Sequence, residues 1–182
     1  MKAKYLYAAT GLTIIALFAS ADSIAASKAE IDASVSTALK NWEAINPNHR
    51  ELASKAAGML VFPSVTKGGV GIAGEYGEGV LRVNDQTVGY YSVSSASVGL
   101  TLGIAKHSEI ILFMTQEALD KFRNSKGWSI GADTGVALVK AGAGGKYDSE
   151  TLKKPILGFV FSVKGLIADI SLVGSKINSI NN

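Results

Sequence analysis

The hydrophobic positions after residue 26 first repeat at helical spacing. The repeating residues, at steps of four, four and three, are Ile31, Val35, Leu39 and Trp42. This spacing places them on one face of a helix, and Ser27 and Glu30 stand just before it at the spacing of a capping box. The pattern therefore predicts a helix over Ser27–Ile45, followed after Pro47 by a second short helix over His49–Ala57.

From Gly58 onward the hydrophobic pattern changes to a period of two, which is typical of β-strands. The predicted strands are Met59–Phe62, Gly79–Val83, Thr87–Val93, Val98–Ile104, Glu109–Met114, Trp128–Leu138, Leu157–Val163 and Leu166–Val173. Pro63 is expected to end the first strand, and Asn84–Gln86 is expected to join the second and third as a hairpin. Thr115 is predicted to cap one short internal helix before Gly127, and the glycine-rich segment Lys140–Lys154 is predicted to be a loop.

Glycine recurs inside these strands, where it costs stability unless the backbone has to bend or another group comes close. Gly69, Gly71 and Gly74 match the dinucleotide fingerprint GxGxxG, but the residues after them do not suit the helix that this fingerprint requires. A bent, glycine-rich strand is therefore favoured over a nucleotide site. We predict one α+β domain, with a strongly curved antiparallel sheet or partial barrel, an N-terminal helix pair and one short internal helix.

The N-terminus has the pattern of a secretory signal peptide. Lys2 and Lys4 precede an apolar run over Tyr5–Ser20, and small residues follow it. We predict a signal peptide over residues 1–25, cleaved after Ala21 or Ala25, and a single domain over residues 26–182. An uncleaved membrane anchor is the alternative, although the apolar run is shorter than the roughly 20 residues that span a bilayer. The protein is thus expected to be exported, as a periplasmic or secreted protein that associates with membranes.

The amino-acid composition excludes several kinds of chemistry and binding. The 182 residues are 47% hydrophobic and 18% charged, and they include no cysteine. The lack of cysteine excludes thiol catalysis, disulfides and cysteine-ligated zinc. Cleavage after Ala21 would leave 16 basic and 15 acidic residues. A nearly neutral domain is not expected to bind nucleic acid, which requires many cationic contacts with phosphates.

No catalytic constellation is evident in the sequence. His49 and His107 are the two histidines, and neither has a partner at metal-ligand spacing, so both are expected at surface or capping positions. Asp133–Gly135 matches the aspartic protease triplet, but a turn or strand position is favoured. We therefore predict a non-enzymatic protein with no metal and no cofactor. A hydrolase whose active site shows no motif is a further alternative.

Cationic residues beside glycines or aromatic residues are candidate lipid-binding sites. They are Lys67 with Gly68 and Gly69; Lys121, Arg123 and Lys126 with Trp128; and Lys153 with Lys154. The first group could form an anion-binding nest, and the second joins cations to an apolar ring, the combination that membrane binding needs. Each group also has a structural explanation, since lysines commonly complement a helix dipole or flank an apolar strand in solvent.

A pattern of glycines and aromatic residues extends from Ala56 to the C-terminus. Its elements are Gly58–Pro63, Lys67–Gly69, Gly71, Gly74, Gly77, Gly79–Leu81, Tyr90–Tyr91, Ala118–Leu119, Lys121–Phe122, Gly127–Trp128, Gly131–Ala132, Phe161, Lys164–Leu166, Gly174 and Lys176–Ile177. This pattern resembles the SYLF domain family, whose members include lipid-binding proteins of eukaryotes, an actin-binding group in fungi and many exported bacterial proteins.

The resemblance implies a non-enzymatic module of the cell envelope that binds phospholipid or a membrane surface through anionic headgroups. The alternative is a protein-interaction or envelope-structural module, as the actin-binding fungal relatives suggest. The helix over Ser27–Ile45 has a mixed-charge polar face, so we expect it to pack on the core rather than to lie on a membrane. Replacing Lys121 and Arg123 by Glu is predicted to weaken lipid binding and to leave the fold intact.

Overall fold

A computed structural model of the protein describes residues 27–131, 134–140, 147, 149–165 and 171–180. The predicted signal peptide, Asp133 and residues 166–170 of the last predicted strand lie outside these ranges. The elements in chain order are α1 (Lys28–Ile45), α2 (Asn48–Lys55), β1 (Gly58–Val83), β2 (Gln86–Phe113), α3 (Gln116–Arg123), β3 (Trp128–Ser129), β4 (Val136–Lys140), α4 (Ser149–Leu152), β5 (Ile156–Gly165) and β6 (Lys176–Ser179). They confirm the α+β class and the N-terminal helix pair, and α4 adds a second short internal helix.

The capping box at the start of α1 is present. The Ser27 hydroxyl accepts a hydrogen bond from the Glu30 amide at 3.3 Å, and the Glu30 carboxylate accepts one from the Ser27 amide at 2.8 Å. One face of the helix is buried, and Trp42 on that face is fully enclosed. Because this face packs against the sheet, the helix contributes to the core, as the sequence predicts.

The described strands form one curled sheet. Its order is β3-β6-β2-β5-β4, and β1 pairs with β2 off this path. The β1–β2 hairpin turns at Asn84 and Asp85, which both have positive φ, as the predicted tight turn requires. The pairings are antiparallel except that of β4 with β5, which is parallel. Parallel neighbours need a crossover connection rather than a tight turn, and the chain between Lys140 and Ile156 supplies its length.

Several strand predictions are wrong in their bounds. Strand β2 is continuous and contains the predicted strands Thr87–Val93, Val98–Ile104 and Glu109–Met114 except for Met114, and residues 171–173 of the last predicted strand are not strand. The first strand does not end at Pro63 but continues to Val83, and a register shift between Phe62 and Val65 accommodates the proline. A bulge tolerates proline because a residue there need not donate to the ladder. The predicted strand Trp128–Leu138 is two strands, β3 and β4, which lie at opposite edges of the sheet.

Strand β1 folds back on itself through close backbone approaches at glycines. A Cβ added to Gly77 would lie 2.9 Å from the Ser64 carbonyl oxygen, and one added to Gly79 would overlap the carbonyl oxygen of Val61. The second half of β1 therefore lies directly against its first half. This contact confirms the strong curvature that the strand glycines predict.

The core has two hydrophobic clusters on opposite faces of the sheet. One contains Leu60 and Phe62 with α3, and the other contains Val61 with α1 and α2. Consecutive β1 residues enter different clusters because strand side chains alternate between faces. Within the described ranges, no helix has the length and apolar character to cross a bilayer.

Candidate functional site

The β1–β2 ribbon exposes aliphatic side chains where it bends, midway along both strands. These residues, between 65% and 86% exposed, are Val70, Ile72, Val98, Leu102 and Ile104. We call this surface the ribbon bend. Val70 pairs with Leu102, and Ile72 pairs with Val98, so the exposed side chains are neighbours on adjacent strands. A contiguous group of exposed aliphatic side chains is a feature of interaction surfaces.

Backbone geometry explains why these side chains cannot reach the core. Gly71 has a φ of 72° and Gly103 a φ of 124°, values that residues with a Cβ rarely adopt. The ladder also shifts register between Val70 and Ile72, and a Cβ on Gly69 would overlap the Ile72 carbonyl oxygen. Both strands therefore turn sharply at the same place, and the intervening side chains project outward.

Two exposed lysines adjoin the ribbon bend. Lys106 on β2 pairs with Lys164 on β5, and Lys106 lies two residues beyond Ile104 on the same strand. Both lysines line a cleft of about 370 Å³ together with residues of α1. Neither residues 64–74 nor residues 96–108 include an acidic residue. The bend and its flanks therefore combine aliphatic surface with positive charge.

The predicted cluster around α3 lies elsewhere on the molecule. Lys121, Arg123 and Lys126 are exposed, whereas Trp128 is half-buried and packs edge-on against Phe122 at 5.4 Å between ring centroids. Lys121 and Trp128 line one cleft of about 300 Å³, which the acidic Glu117 also lines. The structure thus brings Lys121 and Trp128 together, but the tryptophan ring is held by the core.

The other two predicted groups, the Lys153–Lys154 pair and the Lys67 group, differ in their exposure to solvent. Lys153 and Lys154 are exposed beside Pro155, which lines the same cleft as Lys121, and Lys153 forms an ion pair of 2.7 Å with Glu150. Lys67 is only 9% exposed. Gly68 and Gly69 are strand residues paired with Ile104 and Gly103, so the Lys67 group lies at the ribbon rather than beside Trp128.

A buried polar cluster joins β1 to β2. His107 Nε2 lies 2.8 Å from Glu109 Oε1 and 3.0 Å from Glu75 Oε1, and all three side chains are enclosed. Burial alone would lower the pKa of His107, but the two carboxylates raise it to about 9. Burial raises the pKa of Glu109. Burial would also raise the pKa of Glu75, but the nearby His107 and the hydrogen bond from the Ser95 hydroxyl outweigh it and lower that pKa. The expectation of a surface position for His107 is therefore wrong.

His49 is also buried rather than at the surface. Its Nδ1 donates to the Trp42 carbonyl oxygen at 2.5 Å, its Nε2 accepts from the Tyr147 hydroxyl, and its ring stacks on Trp42 at 4.1 Å. Burial lowers the pKa of His49. The expected surface position is wrong because α2 turns its first residues inward under α1. The hydrogen bond to Trp42, in the last turn of α1, is nevertheless a capping contact, the other position expected for His49.

Sequence reasoning missed both the ribbon bend and the Glu75–His107–Glu109 cluster. The signal for the bend was present as aliphatic alternation over Val98–Ile104 together with Gly71 and Gly103. His107 and Glu109 are two residues apart, which places them on one face of a strand. Glu75 gives no such signal, because only the folding back of β1 brings it to His107.

The curled sheet has helices on its faces and exposes the ribbon bend, a surface suited to binding. Residues 94–182 match the model of the Ysc84 family, described as Las17-binding protein actin regulator. This part of the chain belongs to that family, the SYLF domain family, so the resemblance predicted from the sequence is confirmed over these residues. No curated protein matches the chain significantly.

Proposed function

We propose that the protein binds the surface of membranes that contain anionic phospholipid. The ribbon bend enters the interface between headgroups and acyl chains, and Lys106 and Lys164 contact the headgroups. The observation that carries this proposal is the adjacency of five exposed aliphatic side chains and two exposed lysines. The lipid is held and is not chemically altered.

The expected binding free energies indicate that both the aliphatic side chains and the lysines are needed for membrane binding. A lysine near an anionic membrane contributes about 1 kcal/mol, so two of them give about a thirtyfold enrichment. An aliphatic side chain that leaves water contributes about 1.5–3 kcal/mol when it is fully buried. Even partial insertion of Val98, Leu102 and Ile104 would therefore exceed the electrostatic contribution. The apolar bend supplies affinity, and the lysines supply preference for anionic lipid.

The lipid class follows from the proposed location. The signal-peptide pattern of residues 1–25 supports export to the cell envelope, where the domain would meet phosphatidylglycerol or cardiolipin rather than cytosolic phosphoinositides. Each of these envelope lipids carries a phosphate charge without an inositol ring. We therefore expect recognition of negative charge at the bend and no need for a shaped headgroup pocket.

Vesicle sedimentation tests the proposal. The full chain should sediment with phosphatidylcholine vesicles that contain phosphatidylglycerol, and much less with vesicles of phosphatidylcholine alone. Replacing Val98 and Leu102 by Ser should weaken binding about a hundredfold, because two inserting side chains are lost. Both residues are exposed, so the variant should keep the circular dichroism spectrum and melting temperature of the wild type. Equal sedimentation of the folded variant and the wild type would contradict the proposal.

A second candidate function is protein binding through the same bend. The family description names a protein partner, Las17, and exposed aliphatic groups also suit protein interfaces. Purified vesicles without protein discriminate between the two. The second function predicts that the wild type does not bind vesicles. It also predicts that the wild type retains a stoichiometric protein from a detergent-washed envelope extract, whereas the Val98→Ser/Leu102→Ser variant does not.

A further inference from the structure

The Glu75–His107–Glu109 cluster has the composition of a metal site. It presents one imidazole nitrogen and two carboxylates, and their ligand atoms all lie within 4.8 Å of one another. The ligands come from two distant parts of the ribbon, since His107 pairs with Val65 and Glu75 pairs with Ser95. Folding of β1 onto itself assembles them, so a bound ion would fasten this folded arrangement.

The cluster leaves hydrogen-bonding groups unsatisfied. The single hydrogen on His107 Nε2 can be directed to only one oxygen, and Glu109 Oε1 receives it at 2.8 Å. Within the described residues, Glu75 Oε1, Glu109 Oε2 and His107 Nδ1 have no hydrogen-bond partner, although each is buried. Buried polar atoms are normally paired, so three orphans at one place indicate a ligand that would complete the site.

The spacing suits a small cation. Around a tetrahedral zinc ion with bonds of about 2.0–2.1 Å, neighbouring ligand atoms lie about 3.3 Å apart. The nitrogen–oxygen distances of 2.8 and 3.0 Å are a few tenths of an ångström shorter. The two carboxylate oxygens lie within 4.8 Å of each other, so side-chain adjustment would bring all three ligand atoms around an ion, which would replace the hydrogen on Nε2. Glu109 Oε2 or a water would complete the coordination.

We propose that Glu75, His107 and Glu109 bind one divalent zinc ion. Imidazole nitrogen with carboxylate oxygen is a donor set that suits zinc, whereas calcium and magnesium favour shells made of oxygen alone. The alternative is a metal-free ion network in which His107 keeps its proton between the carboxylates. Lys67 adds a positive charge near Glu75 in either state. The role of the ion would be structural, because it ties β1 to β2 below the ribbon bend.

Metal analysis of the untagged full chain tests this inference. The protein is stripped with a chelator, incubated with zinc sulfate, desalted and analysed by mass spectrometry for bound metal. We expect one zinc per chain and a higher melting temperature with zinc, but no change with the same concentration of magnesium. Glu75→Gln and Glu109→Gln should each weaken zinc binding at least tenfold, because an amide is a poor ligand. Glu78→Gln, on the same strand and outside the cluster, is the matched control and should bind like the wild type.

A measurement on the wild type keeps the test independent of how the variants fold. The chain has two histidines, so one His49→Gln variant is enough to identify which imidazole ¹⁵N signals belong to His107. Zinc should shift the Nε2 signal of His107 and leave that of His49 in place. The inference fails if the stripped wild type takes up no zinc, if Glu75→Gln and Glu109→Gln bind it as the wild type does, or if the shift occurs at His49.

Discussion

Val70 and Leu102 face each other across the β1–β2 ladder, and they are 78% and 72% exposed. Paired aliphatic residues in the middle of a long ribbon would normally enter a core. Here the ribbon turns sharply between its two packed halves, so the pair lies outside both hydrophobic clusters. The apolar surface is therefore a consequence of the same bend that builds the fold.

The folding back of β1 depends on glycines, because a Cβ at these positions would collide with the backbone of the other half of the strand. Gly79→Ala should destabilise the protein by about 2–3 kcal/mol, because the new Cβ overlaps the Val61 carbonyl oxygen. For a chain of this size the melting temperature should fall by about 5–10 °C. Gly74→Ala is the matched control on the same strand, since its Cβ meets nothing within 4 Å, and its stability should change by less than about 0.5 kcal/mol. Similar melting temperatures for the two variants would show that β1 does not fold back as described.

Charge reversal at Lys106 and Lys164 should remove the preference for anionic vesicles. Loss of the two cations should lower the affinity for anionic vesicles about thirtyfold, and the new carboxylates should lower it further by repulsion. The difference in affinity between the variant and the wild type should be smaller at about 1 M salt than at about 0.1 M salt. At about 1 M the Debye length is only about 3 Å, so the charges of the lysines are largely screened. Binding isotherms at the two salt concentrations measure this. A loss that is the same at both would show that the lysines do not act through charge.

Replacing Lys121 and Arg123 by Glu tests the α3 cluster against the bend. Both residues are exposed, and Lys121 already has Glu117 at 3.5 Å, so their contribution should come from the general field of the protein. We expect the variant to bind vesicles more weakly than the wild type at low salt and as strongly as the wild type at high salt. Its fold should be unchanged. The Val98→Ser/Leu102→Ser loss should instead persist at high salt. If the α3 variant keeps its loss at high salt, the cluster around Trp128 is a direct lipid contact.

His49 should make the stability fall as the pH is lowered. Burial holds the pKa of His49 below its ordinary value of 6.5, so the unfolded chain takes up a proton at a higher pH than the folded protein does. Its stabilising contribution is complete above pH 6.5 and decreases below it, with a slope of at most about 1.4 kcal/mol per pH unit. Urea denaturation of the wild type and His49→Gln across this range measures the two slopes. Parallel slopes would mean that His49 titrates alike in both states.

The sequence predicted what local periodicity determines. The capping box and apolar stripe of α1, the Asn84–Asp85 turn and the Thr115 cap are each set by residues within a few positions of one another. The strand glycines also indicated curvature. The bounds of β1 and the separation of β3 from β4 were missed, because they depend on which distant strands pair.

The candidate site was less predictable for the same reason. Lys121 and Trp128 are close in sequence and line one cleft, as local reasoning suggests. Lys106 and Lys164 are distant in sequence and meet only through the β2–β5 register. Glu75 reaches His107 only because β1 reverses, and no spacing rule encodes that contact.

A label at Val98 tests most directly whether the ribbon bend enters the membrane. The chain has no cysteine, so Val98→Cys can carry a single environment-sensitive fluorophore. With phosphatidylglycerol vesicles we predict a blue-shifted emission that brominated acyl chains quench. The same label at Asp85→Cys in the hairpin turn, or at Lys121→Cys on α3, should stay in water. An unshifted, unquenched label at position 98 on vesicle-bound protein would contradict the account.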